Sequence, residues 1–195
     1  MVRPDKRESL LRAAETLFHR KGLEHTSLAD IAESADVPLG NVYYYFKTRG
    51  DLVKGVSEAR HDMLQARRAE WAKLSDPRDR LLAYIKAFEA NDELCTAHGC
   101  PMGSLCVEAN KQGGAIAEEA AAVMRGTLEW LTAQFREMGF REAEAREHAA
   151  RTLGGRQGSI ILSNTFKDPH YIRLETARLK QWLAGLPAAK KRKSK

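Results

Sequence analysis

Three cysteines, Cys95, Cys100 and Cys106, fall within one twelve-residue stretch of this 195-residue chain, at spacings of five and six. An odd number of thiols, in a chain with no visible secretory leader, reads as reduced cysteine rather than as a disulfide framework. Zinc sites show a tighter CxxC pair or a histidine at fixed spacing. Here only His98 is close and no second ligand pair exists, so neither a metal nor a cofactor is expected. The run His98-Gly99-Cys100-Pro101-Met102-Gly103-Ser104 reads as a helix start with Cys100 at or just before its N-terminus. There the helix dipole favours a thiolate, and a protonated His98 would add to the effect. Cys100 is therefore the candidate effector-sensing residue, set against the plainer alternative of a small buried side chain in a pocket wall. Cys95 and Cys106 read as core. The alternative function is a thiol-based redox enzyme centred on Cys100. Against it, the sequence has no CxxC pair, no nucleotide-binding glycine motif and no Ser/His/Asp context, so no catalytic residue is assigned.

The second group is Leu39-Gly40-Asn41-Val42-Tyr43-Tyr44-Tyr45-Phe46, followed by Arg49. Val42 and Phe46 lie on one helical face, which leaves the others for a partner. Gly40 lets backbone come near a groove, and Asn41 can hydrogen-bond a base edge or a phosphate. The tyrosines donate to phosphates or pack on thymine methyls. Three consecutive aromatics cover about 300° of a helix, too wide an arc to be buried in so short a unit. Arg49 opens the next helix, where a cation beside free N–H groups suits a phosphate.

Both groups need helices to position them, and the periodicity supplies helices throughout. Leu10, Ala14, Leu17 and Phe18 form one amphipathic stripe ending at Gly22. Thr26 and Ser27 cap a short second helix carrying Ile31 and Ala32. A turn at Asp36-Val37-Pro38 leads to the short third helix. Thr48 and Asp51 are spaced as a capping box opening a fourth helix to about Leu74. Further helices are expected over residues 78–95, after Pro101, and over 116–138, 142–166 and 169–186. Gly154 and Gly158, four apart, would let another helix approach. Ile172, Thr176, Leu179, Leu183 and Leu186 alternate by four and three, as a seam for a partner helix does. The fold class is all-α, with about nine helices.

Composition bounds the rest. With 43% apolar and 30% charged residues, this is the make-up of a globular protein. The longest apolar runs are five residues, as at Val42–Phe46 and Ala120–Met124, well short of a membrane span of about 18, so a cytoplasmic protein is expected. The net charge of +6 is not spread evenly. Residues 1–60 carry +1, residues 61–189 carry none, and Lys190, Lys191, Arg192, Lys193 and Lys195 supply the rest. Overall charge is thus weak evidence for nucleic acid, and a nucleoid protein using that tail without sequence choice is a lesser rival.

At Thr26-Ser27-Leu28-Ala29-Asp30-Ile31-Ala32 and from Val37 through Phe46 to Leu52, the sequence resembles the TetR family of bacterial transcriptional regulators. The resemblance covers about residues 6–54. It implies a three-helix helix-turn-helix domain over 1–50, a helical effector-binding and dimerisation domain over 51–187 and a basic disordered tail over 188–195. By position, Thr26, Ser27, Gly40, Asn41, Tyr43, Tyr45 and Arg49 would contact double-stranded DNA, with Leu39 and Tyr44 as candidates for base readout. The implied protein is a homodimeric regulator, usually a repressor, released from its operator by a small-molecule effector or a thiol reagent. The Cys100 segment is similar to the subgroup that includes the N-ethylmaleimide-responsive repressor. Trp71, Tyr84, Phe88, Met102, Met124, Trp130 and Phe166, together with Met63, are candidate effector-pocket residues, since large apolar side chains line such sites. Gly154, Gly158, Ile172, Leu179, Leu183 and Leu186 are candidates for the dimer interface.

Overall fold

The computed structural model describes residues 5–87 and 89–187. Among these residues the chain is helical throughout, with ten α-helices, one short 3-10 turn and no strand. The helices divide between two compact units.

One unit holds the chain up to Leu64 together with Cys100–Met124. Its helices are α1 (Lys6–Lys21), α2 (Leu28–Ser34), α3 (Leu39–Tyr45), the first part of α4 (Arg49–Trp71), α7 (Pro101–Gln112) and the first part of α8 (Gly114–Glu137). The buried face of α1 is broad, taking in Leu10, Leu11, Ala13, Ala14 and Phe18. It is covered by α2 and by α7. The boundary read at residue 50 is therefore not a structural one, because α1 buries part of its apolar face against a helix fifty residues beyond it.

Local signals set the helix ends in this unit. Ser27 accepts from the Asp30 N–H, and the Asp30 carboxylate accepts from the Ser27 N–H, closing a capping box at the start of α2. Asp36 takes the left-handed conformation at φ 52°. Its N–H donates to Glu33, and the Val37 N–H donates back to Ala32, which satisfies the last carbonyls of α2. Thr48 and Asp51 make the expected box ahead of α4, at 2.9 and 3.1 Å. On α4, a Cβ at Gly55 would come within 2.7 Å of a Leu11 methyl, so any side chain there would have to push Leu11 aside.

The other unit comprises Gln65–Gly99 and the chain from Arg125 onward. It holds the end of α4, α5 (Pro77–Lys86), a 3-10 turn (Glu89–Asn91), α6 (Asp92–His98), the rest of α8, α9 (Glu142–Phe166) and α10 (His170–Gly185). The single helix expected over 78–95 is thus broken into α5 and α6. The pairing of α9 with α10 is the main contact of this unit, and α5 and α6 pack on it. Arg78 on α5 closes the C-terminus of α10. Its guanidinium donates to the carbonyls of Leu183, Ala184, Leu186 and Pro187. Beside α10, a Cβ at Gly155 would meet the Glu175 carboxylate, so the close approach within the chain is made at Gly155.

Candidate DNA-reading surface and sensor helix

The third helix is short, and its two faces differ sharply. Val42 and the following Phe46 are buried, while Leu39, Tyr43 and Tyr44 are exposed, Tyr44 to 79%. Nothing lies within 4 Å of the position a Gly40 side chain would take. Asn41 and Tyr45 are half-buried, and the rings of Tyr44 and Tyr45 meet edge to face at 5.0 Å. Arg7 stacks over the Phe46 ring at 5.6 Å and closes the core side. Leu39, Gly40, Tyr43 and Tyr44 therefore share one open surface, with half-buried Asn41 beside it, carrying polar and aromatic groups suited to a major groove.

Two expected DNA contacts are placed otherwise. Thr26 is only 2% exposed and its hydroxyl donates to the Gly22 carbonyl at 2.7 Å. It is a buried corner residue, and the DNA-contact reading of its side chain is corrected. The threonine could have been recognised from its partner four residues back, a common alternative to capping. Ser27 is exposed, but its hydroxyl is held by Asp30 at 2.6 Å. Arg49 spends one N–H on the Thr26 carbonyl at 3.0 Å. Its remaining donors leave room for a phosphate beside the start of α4.

Cys100 is the N-cap of α7, as its sequence position suggested, and its Sγ accepts from the Gly103 N–H at 3.3 Å. It is 8% exposed. Cys106 lies further along the same helix and donates to the Ala120 carbonyl at 3.1 Å. Burial, and secondarily the nearness of Cys100, pushes the Cys106 thiol up to about 11. Cys95 is buried in the other unit.

Of the candidate pocket residues, the structure brings together Trp71, Tyr84 and Trp130, with ring centroids 5.5–6.0 Å apart. Arg68 was missed in the sequence. Its guanidinium lies 5.7 Å from the Trp130 ring centre and donates to Thr127, and burial lowers its pKa. The signal was its place one turn before Trp71 on α4. Met63, Met102 and Met124 belong to the unit that contains α7. Phe166 is 60% exposed and stacks beside Tyr171 on the surface, so it is not a pocket residue. Phe88 and the basic tail lie outside the described residues. The cavity between Tyr84, Thr152, Arg156 and Glu175 measures about 20 Å³, room for about one water and not for an effector.

The proposed dimer seam also needs correction. Ile172, Leu179 and Leu183 are buried within the chain itself, where α10 packs on α9 and α5, and Leu186 is half-buried at the end of α10. Alternating spacing showed that this face is covered, but not by which helix. Among the described residues, α9 carries an apolar face that is left open. Nothing lies near Gly154 or Gly158, and Ile161, Leu162 and Phe166 continue the same face exposed. At intervals of four, three, one and four residues, these five positions form one helical stripe.

Two family descriptions match the chain. Residues 10–56 match the family of bacterial regulatory proteins, tetR family. Residues 79–177 match the C-terminal domain of LmrA/YxaF-like transcriptional regulators. The HTH-type transcriptional regulator TtgR of Pseudomonas putida is 37% identical over 68 residues, covering 32% of each chain. The HTH-type transcriptional repressor NemR of Escherichia coli is 27% identical over 134 residues, 66% of each chain. In both cases the match spans less than two thirds of the relative. The crystal structure of the reduced form of NemR superposes with a TM-score of 0.73 at 20% identity, over 91% of this chain and 96% of that one. A TetR regulator from Legionella pneumophila superposes with a TM-score of 0.82 at 18% identity, over 93% and 99%.

Proposed function

The chain belongs to the TetR family of bacterial regulatory proteins, with an LmrA/YxaF-like C-terminal domain, and from that premise we propose that it is a homodimeric repressor released from a palindromic operator by a small ligand or a thiol-reactive or oxidising compound. The family is one of transcriptional regulators, not enzymes. Among the described residues no helix is long and apolar enough to cross a membrane.

The observation that carries the DNA half of the reading is the split of α3 into a buried Val42/Phe46 face and an open Leu39/Gly40/Tyr43/Tyr44 face. A helix this short, held by α2 through the turn at Asp36, leaves Tyr43 and Tyr44 open to a partner. Two copies related by a two-fold would present two such helices to half-sites one helical turn or more apart. The open α9 stripe supports the second copy.

For the effector, Cys100 at the head of α7 supports a covalent response. The likeness to NemR points the same way, its solved structure being called a reduced form. The Trp71/Tyr84/Trp130 group with Arg68 supports a reversible ligand with a planar apolar body and a group that accepts from a cation. A footprint on the DNA upstream of the protein's own gene, with and without N-ethylmaleimide, tests both parts. Wild type should protect a palindrome and lose it with the reagent. Cys100→Ser should blunt that loss, while Cys95→Ser and Cys106→Ser should not. A Cys100→Ser protein that responds like wild type leaves the aromatic site as the effector reading, and equal protection of every duplex sinks sequence-specific repression.

A further inference from the structure

The six residues between α1 and α2, Gly22–Ser27, form a corner that α1, α2 and α4 share. The Thr26 hydroxyl donates to the Gly22 carbonyl, the Thr26 carbonyl accepts from Arg49, and Ser27 caps α2. One partner of this corner comes from far along the chain. Glu108, two turns into α7, accepts from the Leu23 N–H at 2.5 Å and from the Glu24 N–H at 3.4 Å, both on Oε2. Gly22 makes room for it. With φ at 86° and no side chain, Gly22 lets the carboxylate sit where a Cβ would be only 3.0 Å away. Consecutive N–H groups converging on one oxygen form a small anion nest, and a carboxylate in it makes charge-assisted bonds, stronger than neutral ones. The stretch matched to the DNA-binding part of the family ends at residue 56. Its corner is therefore fastened by a residue of the region matched to the C-terminal domain of LmrA/YxaF-like regulators.

We propose that Glu108 is a positioning residue for DNA binding: it fixes the α1–α2 corner to α7, and so holds α2, α3 and Arg49 in the arrangement that reads DNA. This rests on the reading of α3 as the DNA-contacting helix. Glu108 touches no DNA; it acts by limiting the freedom the reading head would otherwise lose on binding. The expected loss of operator affinity in Glu108→Ala is about 10- to 100-fold, the equivalent of one charge-assisted hydrogen bond. The salt dependence should stay as steep as in wild type, because no phosphate contact is removed.

The test is amide exchange at Leu23 and Glu24 in the free protein, together with operator affinity over a salt series, for wild type, Glu108→Ala and Glu108→Gln. The glutamine keeps an acceptor oxygen and should recover most of the affinity. Expected is loss of protection at Leu23 and Glu24 in the alanine protein, with the affinity loss above and an unchanged salt slope. Unchanged protection, or lost protection with affinity within twofold of wild type, would overturn the proposal. If the alanine protein fails to fold, Glu108→Asp, whose carboxylate is held one methylene shorter, decides: weaker protection at Leu23 and Glu24 with a measurable affinity loss supports the role, and wild-type values in both overturn it. A wild-type protein that binds no upstream duplex overturns the DNA reading beneath the proposal, and is told apart because amide exchange still reports the clamp without DNA.

Discussion

Ile161→Asp and Leu183→Asp place the same charge on paired helices, and they should fail in different ways. Ile161 is 64% exposed within the chain, so a carboxylate there stays hydrated and the single chain keeps its fold. If the α9 stripe closes on its mate across a two-fold, both copies of Ile161 pass from that exposure to burial. Complete burial of an isoleucine is worth about 1.5–3 kcal/mol. Scaled by the exposed fraction and doubled by symmetry, the two residues contribute about 2–4 kcal/mol, or about 30- to 700-fold in the dimer dissociation constant. The unpaired carboxylates weaken the dimer further. Leu183, by contrast, is fully buried between α10 and its neighbours. A carboxylate there would be taken out of water among apolar neighbours, and its cost of several kcal/mol is a large part of the about 5–15 kcal/mol that holds a domain together. Sedimentation over a concentration series, paired with thermal melting, separates the two. Ile161→Asp should sediment as a monomer with a near wild-type melt and lose tight operator binding; Leu183→Asp should melt early or not fold. A dimer constant unchanged in Ile161→Asp, or a wild-type melt in Leu183→Asp, would refute the assignment of which face is open.

Three further outcomes follow from single side chains. Tyr44→Ala should leave the melting temperature unchanged, since the ring is exposed, and relax base preference at one operator position by roughly 1–3 kcal/mol, read by competition with single-base variants; equal discrimination would remove Tyr44 from the reading surface. Arg78→Ala strips donors from the carbonyls closing α10 and should cost about 1.5–3 kcal/mol in urea unfolding, with Arg78→Lys recovering only part because a lysine lacks the planar fork; a full rescue by lysine would mean that charge alone matters. The Cys106 thiol ionises near 9.0 when unfolded and only at about 11 when folded. Between these values the fold binds more protons than the unfolded chain, so stability falls as pH rises from about 9 to about 11, and Cys106→Ala should flatten that part of the curve if the thiol is its cause.

What the sequence made legible was local. The Thr26-Ser27 cap, the Thr48/Asp51 box, the turn at Asp36 and the Cys100 cap are each fixed by residues within four positions of one another, so spacing alone announces them. The α3 surface was legible too, because three consecutive tyrosines exceed any one buried face. What remained hidden depended on distant partners. The seam of α10 and the open stripe of α9 are both apolar and both helical in period. Only the packing of α9 on α10 decides which is spent within the chain. The break between α5 and α6 follows no proline or glycine, so periodicity carried the expected helix straight through it. The grouping of Cys100–Met124 with the first 64 residues could not be read either, since it rests on α1 meeting α7 and on Glu108 reaching back to Leu23.

That grouping changes how a signal at the thiol would reach DNA. In the structure Cys100 and Glu108 lie on one helix, α7, which packs on α1, eight residues or about 12 Å apart along the axis. Cys100 is 8% exposed and its Sγ accepts from the Gly103 N–H, so an adduct on the sulfur would compete with that cap. The first turn of α7 then shifts or unwinds. A helix that shifts as a rigid body carries Glu108 with it, and the Leu23 and Glu24 N–H groups either follow or lose their acceptor. Either result reaches the corner holding Thr26, Arg49 and α2, within a single compact unit. The response then requires only that the modified helix favour a different corner geometry from the unmodified one, since a ligand shifts an equilibrium by its differential stability for two states and by nothing else.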